Sequence, residues 1–319
     1  FPGWSSTPVA ERAACLDRLA DAVKRHATML AEAEAKDNGK PVSLASHVDI
    51  PRAEKNLRFY ASGIQHYASQ SHAMDGEAIN YTLRKPLGIV ACISPWNLPL
   101  YLFTWKVAPA LASGNCVVAK PSELTPATAY LLSTWIEEAG FPPGVFNVLH
   151  GLGPEVGEAM VTHEDIAAVS FTGGTQTGAR IAGHVAPKFK KMSLELGGKN
   201  PAIVFADADF NEALKTTLRS SFANQGQICL CGSRILVERP IYDEFRDALV
   251  AKASKMVADL PLKPSTKMGA VVSEAHMEKI LGHVALAQEE GGTVLCGGHR
   301  VHPEGGEEGF YVAPTVIEG

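Results

Sequence analysis

The chain has 319 residues and contains no apolar run of the roughly 18 residues that a membrane-crossing helix needs, so no membrane span is expected. No signal peptide is visible, although the chain begins at Phe1 rather than Met, which leaves a preceding segment open. Excess positive charge is also lacking. The net charge is −5 and the isoelectric point about 6.1, which argues against nucleic acid or an anionic membrane surface as the main partner. The six cysteines (Cys15, Cys92, Cys116, Cys229, Cys231 and Cys296) are scattered and show no zinc-type Cys/His spacing. Cys229 and Cys231 are two apart, and no second pair completes a metal site. That usage suits a reduced, cytoplasmic protein rather than a disulfide scaffold. There is no internal repeat and no low-complexity segment. The G-x-G-x-x-G fingerprint of ordinary dinucleotide-binding turns is missing as well.

What is present is a chain with material for a large core. Apolar residues make up 46% and charged residues 20%, and the length suggests roughly two domains. Thr7 and Pro8 can open a helix, and Leu16, Leu19, Ala20, Val23, Ala27 and Leu30 continue at helical spacing. Asn38-Gly39 and Pro41 stop it. A second helix is expected from about 51 to 69. Residues 73–86 alternate Ile79, Tyr81 and Leu83 and predict a strand or hairpin arm with one buried face.

From Gly88 onward short apolar runs alternate with helical stretches. Strands are expected at 88–93, 115–119, 145–149, 166–171, 191–195 and 201–205. The intervening helices are expected at 100–112, 125–140, 154–162, 175–184 and 209–223. Strands separated by helices imply an α/β fold with a doubly wound parallel sheet. Ligands of such sheets lie beyond the carboxyl ends of the strands, and the unusual residues of this chain follow strands.

Five segments carry chemistry. Ser94-Pro95-Trp96-Asn97-Leu98-Pro99 follows the strand ending at Ile93; Asn97 could offer its amide to a developing oxyanion, or the segment is only a turn. Lys120-Pro121-Ser122-Glu123 follows the next strand, where a carboxylate can accept hydrogen bonds from ribose hydroxyls; a solvated loop before a capped helix reads equally well. Phe171-Thr172-Gly173-Gly174-Thr175-Gln176-Thr177-Gly178 is a glycine turn at a helix start that could bring backbone N–H groups to a phosphate. Gly151-Leu152-Gly153 with Gly157 forms a loop of the same kind. Glu195 is a strand-end carboxylate followed by Leu196, Gly197 and Gly198; the glycines suggest close approach to a ligand, while an isolated Glu is more often an ion-pair partner. Cys229 stands in Asn224-Gln225-Gly226-Gln227-Ile228-Cys229. A free cysteine in apolar company is usually an inert core residue; a thiol needs help to become a thiolate, and Glu195 is the candidate base that would make Cys229 a nucleophile. Cys231 reads as an inert core thiol.

Together these segments resemble the aldehyde dehydrogenase superfamily over essentially the whole chain. Val48-Asp49-Ile50-Pro51-Arg52, Ser94 to Leu102 and Arg219 to Gly226 are most similar to its 2-aminomuconic semialdehyde subgroup, with hydroxymuconic, betaine-type and general aldehyde dehydrogenases as neighbours. The resemblance implies a Rossmann-like NAD-binding domain (1–72 and 87–196), an oligomerisation arm (73–86) and an incomplete α/β catalytic domain (197–319). It implies Cys229 as nucleophile, Glu195 as base, Asn97 at the oxyanion and Lys106 as proton relay, although Lys106 also reads as a solvated helix lysine. Cofactor contacts are implied for Ile93, Ser94, Pro95, Trp96, Lys120, Ser122, Glu123, Gly153, Gly157, Phe171, Thr172, Gly173, Gly174, Thr177, Leu196 and Gly197. Gly174 stands where the family often has Ser.

The resemblance further implies a small aldehyde substrate and a homodimer or homotetramer. It also implies a fragment, because the family segment resembling Gly309–Val316 is normally followed by a motif that this chain lacks. A CoA-acylating relative is disfavoured by Glu195, and a silent structural relative by the presence of both Cys229 and Asn97. Arg52, in the first turn of a helix where a cation opposes the dipole, is expected to bind a substrate carboxylate, with a surface salt bridge to Asp49 or Glu54 as the alternative.

Overall fold

The apolar runs become the central strands of a parallel sheet. In the computed structural model, which describes residues 1–319, the strands are β1 (Ser71–Met74), β2 (Ala78–Tyr81), β3 (Ile89–Ile93), β4 (Cys116–Lys120), β5 (Phe146–Val148), β6 (Ile166–Gly173) and β7 (Lys191–Leu196). The five strands β5-β4-β3-β6-β7 form one sheet, with β3 parallel to both β4 and β6 and β4 parallel to β5. The chain winds from β3 to β5 in one direction and then returns to the other side of β3, which is doubly wound topology. Register places Ile93, Lys120 and Phe171 side by side at the carboxyl edge. The three loops singled out from the sequence therefore leave the sheet together.

One face of this sheet is closed by Ala91, Ile93, Val169 and Phe171 packing on Ile181 and Val185 of the helix Thr175–Val185. Alternate strand residues point the other way. There Cys92 adjoins Lys106 of the helix Pro99–Ala112, which packs on β3, β4 and the helix Ile50–Gln65. This first compact unit contains Phe1–Leu30, Asp49–Pro95 and Pro99–Glu195.

The second unit contains Ala31–Val48, Trp96–Leu98 and Leu196–Gly319. Its strands β8 (Asn200–Val204) and β9 (Gly232–Val237) are parallel, and Val204, Leu214, Phe245 and Leu249 form a core between them and two helices. The helix Phe210–Phe222 starts on an Asp209 cap that accepts the Glu212 N–H at 2.9 Å. Residues 38–40 meet 269–270 backbone against backbone. A Cβ on Gly269 would lie 2.0 Å from the Gly39 oxygen, so no larger residue fits there.

Four local expectations are corrected. The first helix breaks at His26, giving Val9–Arg25 and Ala27–Asn38, and it starts on Pro8; the Thr7 hydroxyl bonds back to Gly3 instead of capping. The helix expected over 125–140 is regular only for Ala127–Ser133, with Pro126 at the cap position. Beyond it, N–H groups turn to carbonyls three residues back, and the Ser133 and Thr134 hydroxyls take the Tyr130 and Leu131 carbonyls. The hairpin forms as β1 and β2, but all eight strand residues are exposed, Ile79 to 74%, so its apolar face has no cover within this chain. Lys106 is buried, not solvated. No helix is long and apolar enough to cross a membrane.

Candidate active site

In the second unit, Cys229 is exposed on a loop whose backbone is unusual. Asn224 (φ 51°), Gln225 (φ 57°) and Gly226 (φ 74°) are consecutively left-handed. Such a run costs roughly 1–2 kcal/mol for each non-glycine residue unless it is held. Here the side chains hold it. Gln225 Nε2 donates to the Ala270 carbonyl at 2.6 Å, Gln227 Nε2 donates to the Asn224 carbonyl, and Gln227 Oε1 accepts the Val272 N–H. The amides around the glycine thus form a scaffold for the turn that presents the thiol. Asn200 secures its other end, donating to the Cys229 carbonyl at 2.6 Å and the Cys231 carbonyl at 3.2 Å. Sequence reading missed Asn200; its only signal is a polar side chain directly after the Gly197-Gly198-Lys199 segment. Cys231 is buried, and that burial raises its thiol pKa, as an inert thiol requires.

Asn97 faces the same loop. Its Nδ2 donates one hydrogen to the Gln227 carbonyl at 2.9 Å, and its Oδ1 accepts the Leu98 N–H at 3.0 Å. An amide NH₂ has two hydrogens. The bond to Gln227 orients the group and leaves the second hydrogen without an acceptor, which is the arrangement an oxyanion donor needs. Trp96 lies edge-on to His276, with ring centroids 5.0 Å apart. Beside Asn224 lies a cleft of about 460 Å³ whose charged or titratable side chains are Arg219, Lys267 and His47, with no carboxylate.

The first unit holds the strand-end loops. Lys120 Nζ sits 3.0 Å from Glu123 Oε2 and also donates to the Pro121 carbonyl. Burial pushes Glu123 up, but hydrogen bonds from its own N–H, from Lys120 and from the Gly153 N–H leave its pKa below the ordinary value. The structure thus brings Gly153 to Lys120 and Glu123, which the sequence placed in a different loop. Ser122 accepts the Leu124 N–H in the turn. Ser94 Oγ is buried without a partner. The helix after Phe171-Thr172-Gly173 starts on Gly174 with no side-chain cap, and Thr177 lies in its first turn. Gly173 is crowded, since a Cβ would lie 2.4 Å from the tip of the Phe171 ring, whereas Gly157, Gly174, Gly197 and Gly198 are uncrowded. Pro95 lies beyond β3, while Leu196 and Gly197 follow Glu195, which is exposed at the end of β7.

Two further groups belong to the first unit. Arg52, exposed, places its guanidinium 5.6 Å from the Tyr101 ring centre and 5.4 Å from that of Trp105. The salt bridge to Glu54 does not form, because Glu54 pairs with Arg58. Lys106 donates to Ser170 Oγ at 3.3 Å. Burial lowers its pKa to about 8, against the upward pull of Cys92 and Glu195.

Between that value and the ordinary 10.5 the unfolded chain holds the extra proton, so stability rises with pH across this window. Below pH 8 the full penalty of the buried charge applies. Lys106→Met is therefore expected to raise stability at pH 7 by up to about 3 kcal/mol and to flatten the rise between pH 8 and 10.5. Urea unfolding at several pH values measures both effects.

The whole of residues 1–319 matches the model of the aldehyde dehydrogenase family, and the chain belongs to that family. It is 51% identical to 2-aminomuconic semialdehyde dehydrogenase of Bos taurus, over 99% of this chain and 66% of that protein. It is 47% identical to 2-aminomuconic 6-semialdehyde dehydrogenase of Pseudomonas sp, again over 99% of this chain and 66% of that protein. The NAD⁺ complex of aldehyde dehydrogenase from Bacillus cereus superposes with a TM-score of 0.95 at 40% identity, over 98% of this chain and 63% of that one. The chain thus spans just under two thirds of the length of these relatives.

Proposed function

We propose that the protein oxidises an aldehyde with NAD, by covalent catalysis at Cys229, and that its substrate is a semialdehyde bearing a carboxylate. The observation that carries the first part is the exposed thiol on a clamped left-handed turn, tied through Gln227 to an Asn97 amide with one uncommitted hydrogen. Cys229 adds to the carbonyl carbon. The second Asn97 hydrogen and the Cys229 N–H receive the negative oxygen of the thiohemiacetal. Glu195 activates the water that releases the acid from the thioester, and Lys106, poised near neutrality by burial, relays the proton.

The residues present fit NAD. Glu123 and Lys120 suit the adenosine ribose, and the carboxylate opposes a 2′-phosphate. The uncapped helix start after Gly174 and the unpartnered Ser94 hydroxyl suit the pyrophosphate. Ile93, Pro95, Trp96, Ser122, Gly153, Gly157, Phe171, Thr172, Gly173, Thr177, Leu196 and Gly197 complete the proposed set. When bound, NAD supplies the hydride acceptor.

On this reading residues 1–72 and 87–196 serve the cofactor, 197–319 serve catalysis, and 73–86, which holds most of the uncovered hairpin, is an arm that pairs in a homodimer or homotetramer. Six free cysteines suit a cytoplasmic setting. An aldehyde panel with NAD, read for free acid, separates this activity from acyl transfer to CoA and from a silent relative.

The acidic substrate rests on Arg52. Its guanidinium carbon lies within cation–π range of two aromatic rings and no protein carboxylate forms a salt bridge with it, so it is available for an external one. The cationic cleft beside Asn224 supports the same preference. The relatives named for aminomuconic semialdehydes agree with it. Arg52→Ala should raise KM for acidic semialdehydes by a cost of roughly 1.5–3 kcal/mol, as for a charged hydrogen bond, and leave neutral aldehydes nearly unaffected. Equal losses on both substrate types would show Arg52 to be structural.

A further inference from the structure

The segment Glu34–Lys40 carries two charged side chains with 0% exposure, Glu34 and Lys40, whose Oε1 and Nζ lie 3.6 Å apart. Two charges this deep cost more than their mutual attraction returns unless further hydrogen bonds use them, and replacing such pairs by apolar residues is often neutral or stabilising. A pair kept at that cost invites the question of what the ammonium holds. Lys40 Nζ donates to the main-chain carbonyl of Asn97 at 3.1 Å. The same carbonyl accepts Asn224 Nδ2 at 3.0 Å, from the left-handed turn before Cys229. Two residues earlier, Asn38 Nδ2 donates to the Trp96 carbonyl at 2.8 Å. Gly39 is left-handed (φ 86°) and packs so tightly on Ala270 that a Cβ there would lie 2.6 Å from the Ala270 oxygen. That oxygen is the one Gln225 holds. Residues 38–40, 96–98 and 224–227 are therefore locked into one hydrogen-bonded block within the second unit.

We propose that Lys40, charged and backed by Glu34, is a positioning residue for the oxyanion donor. It fixes the Asn97 main chain so that, with one amide hydrogen tied to Gln227, the other points in a set direction. A hydrogen bond from a charged donor is roughly twice as strong as one from a neutral donor, and a wandering amide loses much of its worth to a transition state. Lys40 touches neither substrate nor reacting atoms and acts only through Asn97. The inference thus rests on the proposed role of Asn97.

The test is a double-mutant cycle in the full-length protein. Lys40→Met alone would strand the Glu34 charge, so the working variant is Glu34→Gln with Lys40→Met, which removes both charges of the pair. Near-ultraviolet circular dichroism and a thermal melt check the fold. The rate of Cys229 alkylation by iodoacetamide, which forms no oxyanion, checks the thiol. The expected result is native spectra, an alkylation rate within about twofold of wild type and kcat lower by about 10- to 100-fold. That is short of the 10²–10³-fold seen when an oxyanion donor is removed outright. Placed on Asn97→Ala, the same pair of changes should produce little further loss. Multiplying losses in that background, or alkylation slowed in step with kcat, would mean that the pair is merely structural and overturn the proposal. If Asn97→Ala by itself leaves kcat intact, the oxyanion assignment fails first and the Lys40 role falls with it; that outcome is separately visible in the single variant.

Discussion

Cys229→Ala is expected to abolish aldehyde oxidation while NAD still binds. The thiol is the only atom in the proposed cycle that bonds to the substrate, and losing such a nucleophile costs on the order of 10⁶-fold in comparable covalent enzymes. The fold should not suffer. The side chain is exposed, and the loop is held through the Cys229 main-chain oxygen by Asn200, a bond that alanine keeps. Lys120, Glu123 and Gly153, the residues assigned to the cofactor ribose, belong to the other compact unit. NAD affinity measured by fluorescence quenching should therefore stay near the wild-type value as NADH production vanishes. Cys231→Ala is the control. Its thiol is buried, its pKa is raised by that burial, and its loss removes a single small group. If the Cys231 variant is dead and the Cys229 variant turns over, the nucleophile has been misassigned.

The parts of this site that were legible in the sequence are those set by local rules. Short continuous apolar runs such as 89–93 and 116–119, alternating with helical stretches, read as buried strands, and in a parallel sheet the loops that follow them emerge on one edge. That logic groups the loops of Asn97, Lys120 and Glu123 and the 172–178 turn at one edge from the sequence alone. What was not legible depends on partners distant in the chain. Asn38-Gly39-Lys40 reads as a helix stop, and it is one; nothing local says that Lys40 is buried against Asn97, 57 positions away. Asn200 likewise has no periodicity or spacing that aims it at the Cys229 carbonyl. Lys106 lies in a helix apolar enough to bury all of it, yet a lysine there could equally have reached solvent. The hairpin alternation was real, but alternation describes which residues share a face, not whether anything covers it. The break at His26 is a backbone event that the uninterrupted leucine pattern concealed.

Glu195→Gln is expected to stall the second half of the reaction while leaving the first. The substitution keeps size and shape, and the carboxylate is exposed at the end of β7, so little packing changes. What disappears is a base able to take a proton from water, a contribution typically worth 10²–10⁴-fold. Thioester formation at Cys229 does not need that water. The enzyme should release one equivalent of NADH in a rapid burst and then turn over at a very low steady rate. Lys106 should respond as well. Glu195 is one of two groups that pull its pKa upward against burial, so the amide variant should titrate Lys106 below the wild-type value of about 8. A stopped-flow trace of NADH absorbance reads burst and steady state together. If turnover is unchanged and no burst appears, the water-activating base lies elsewhere and Glu195 serves only the charge balance around Lys106.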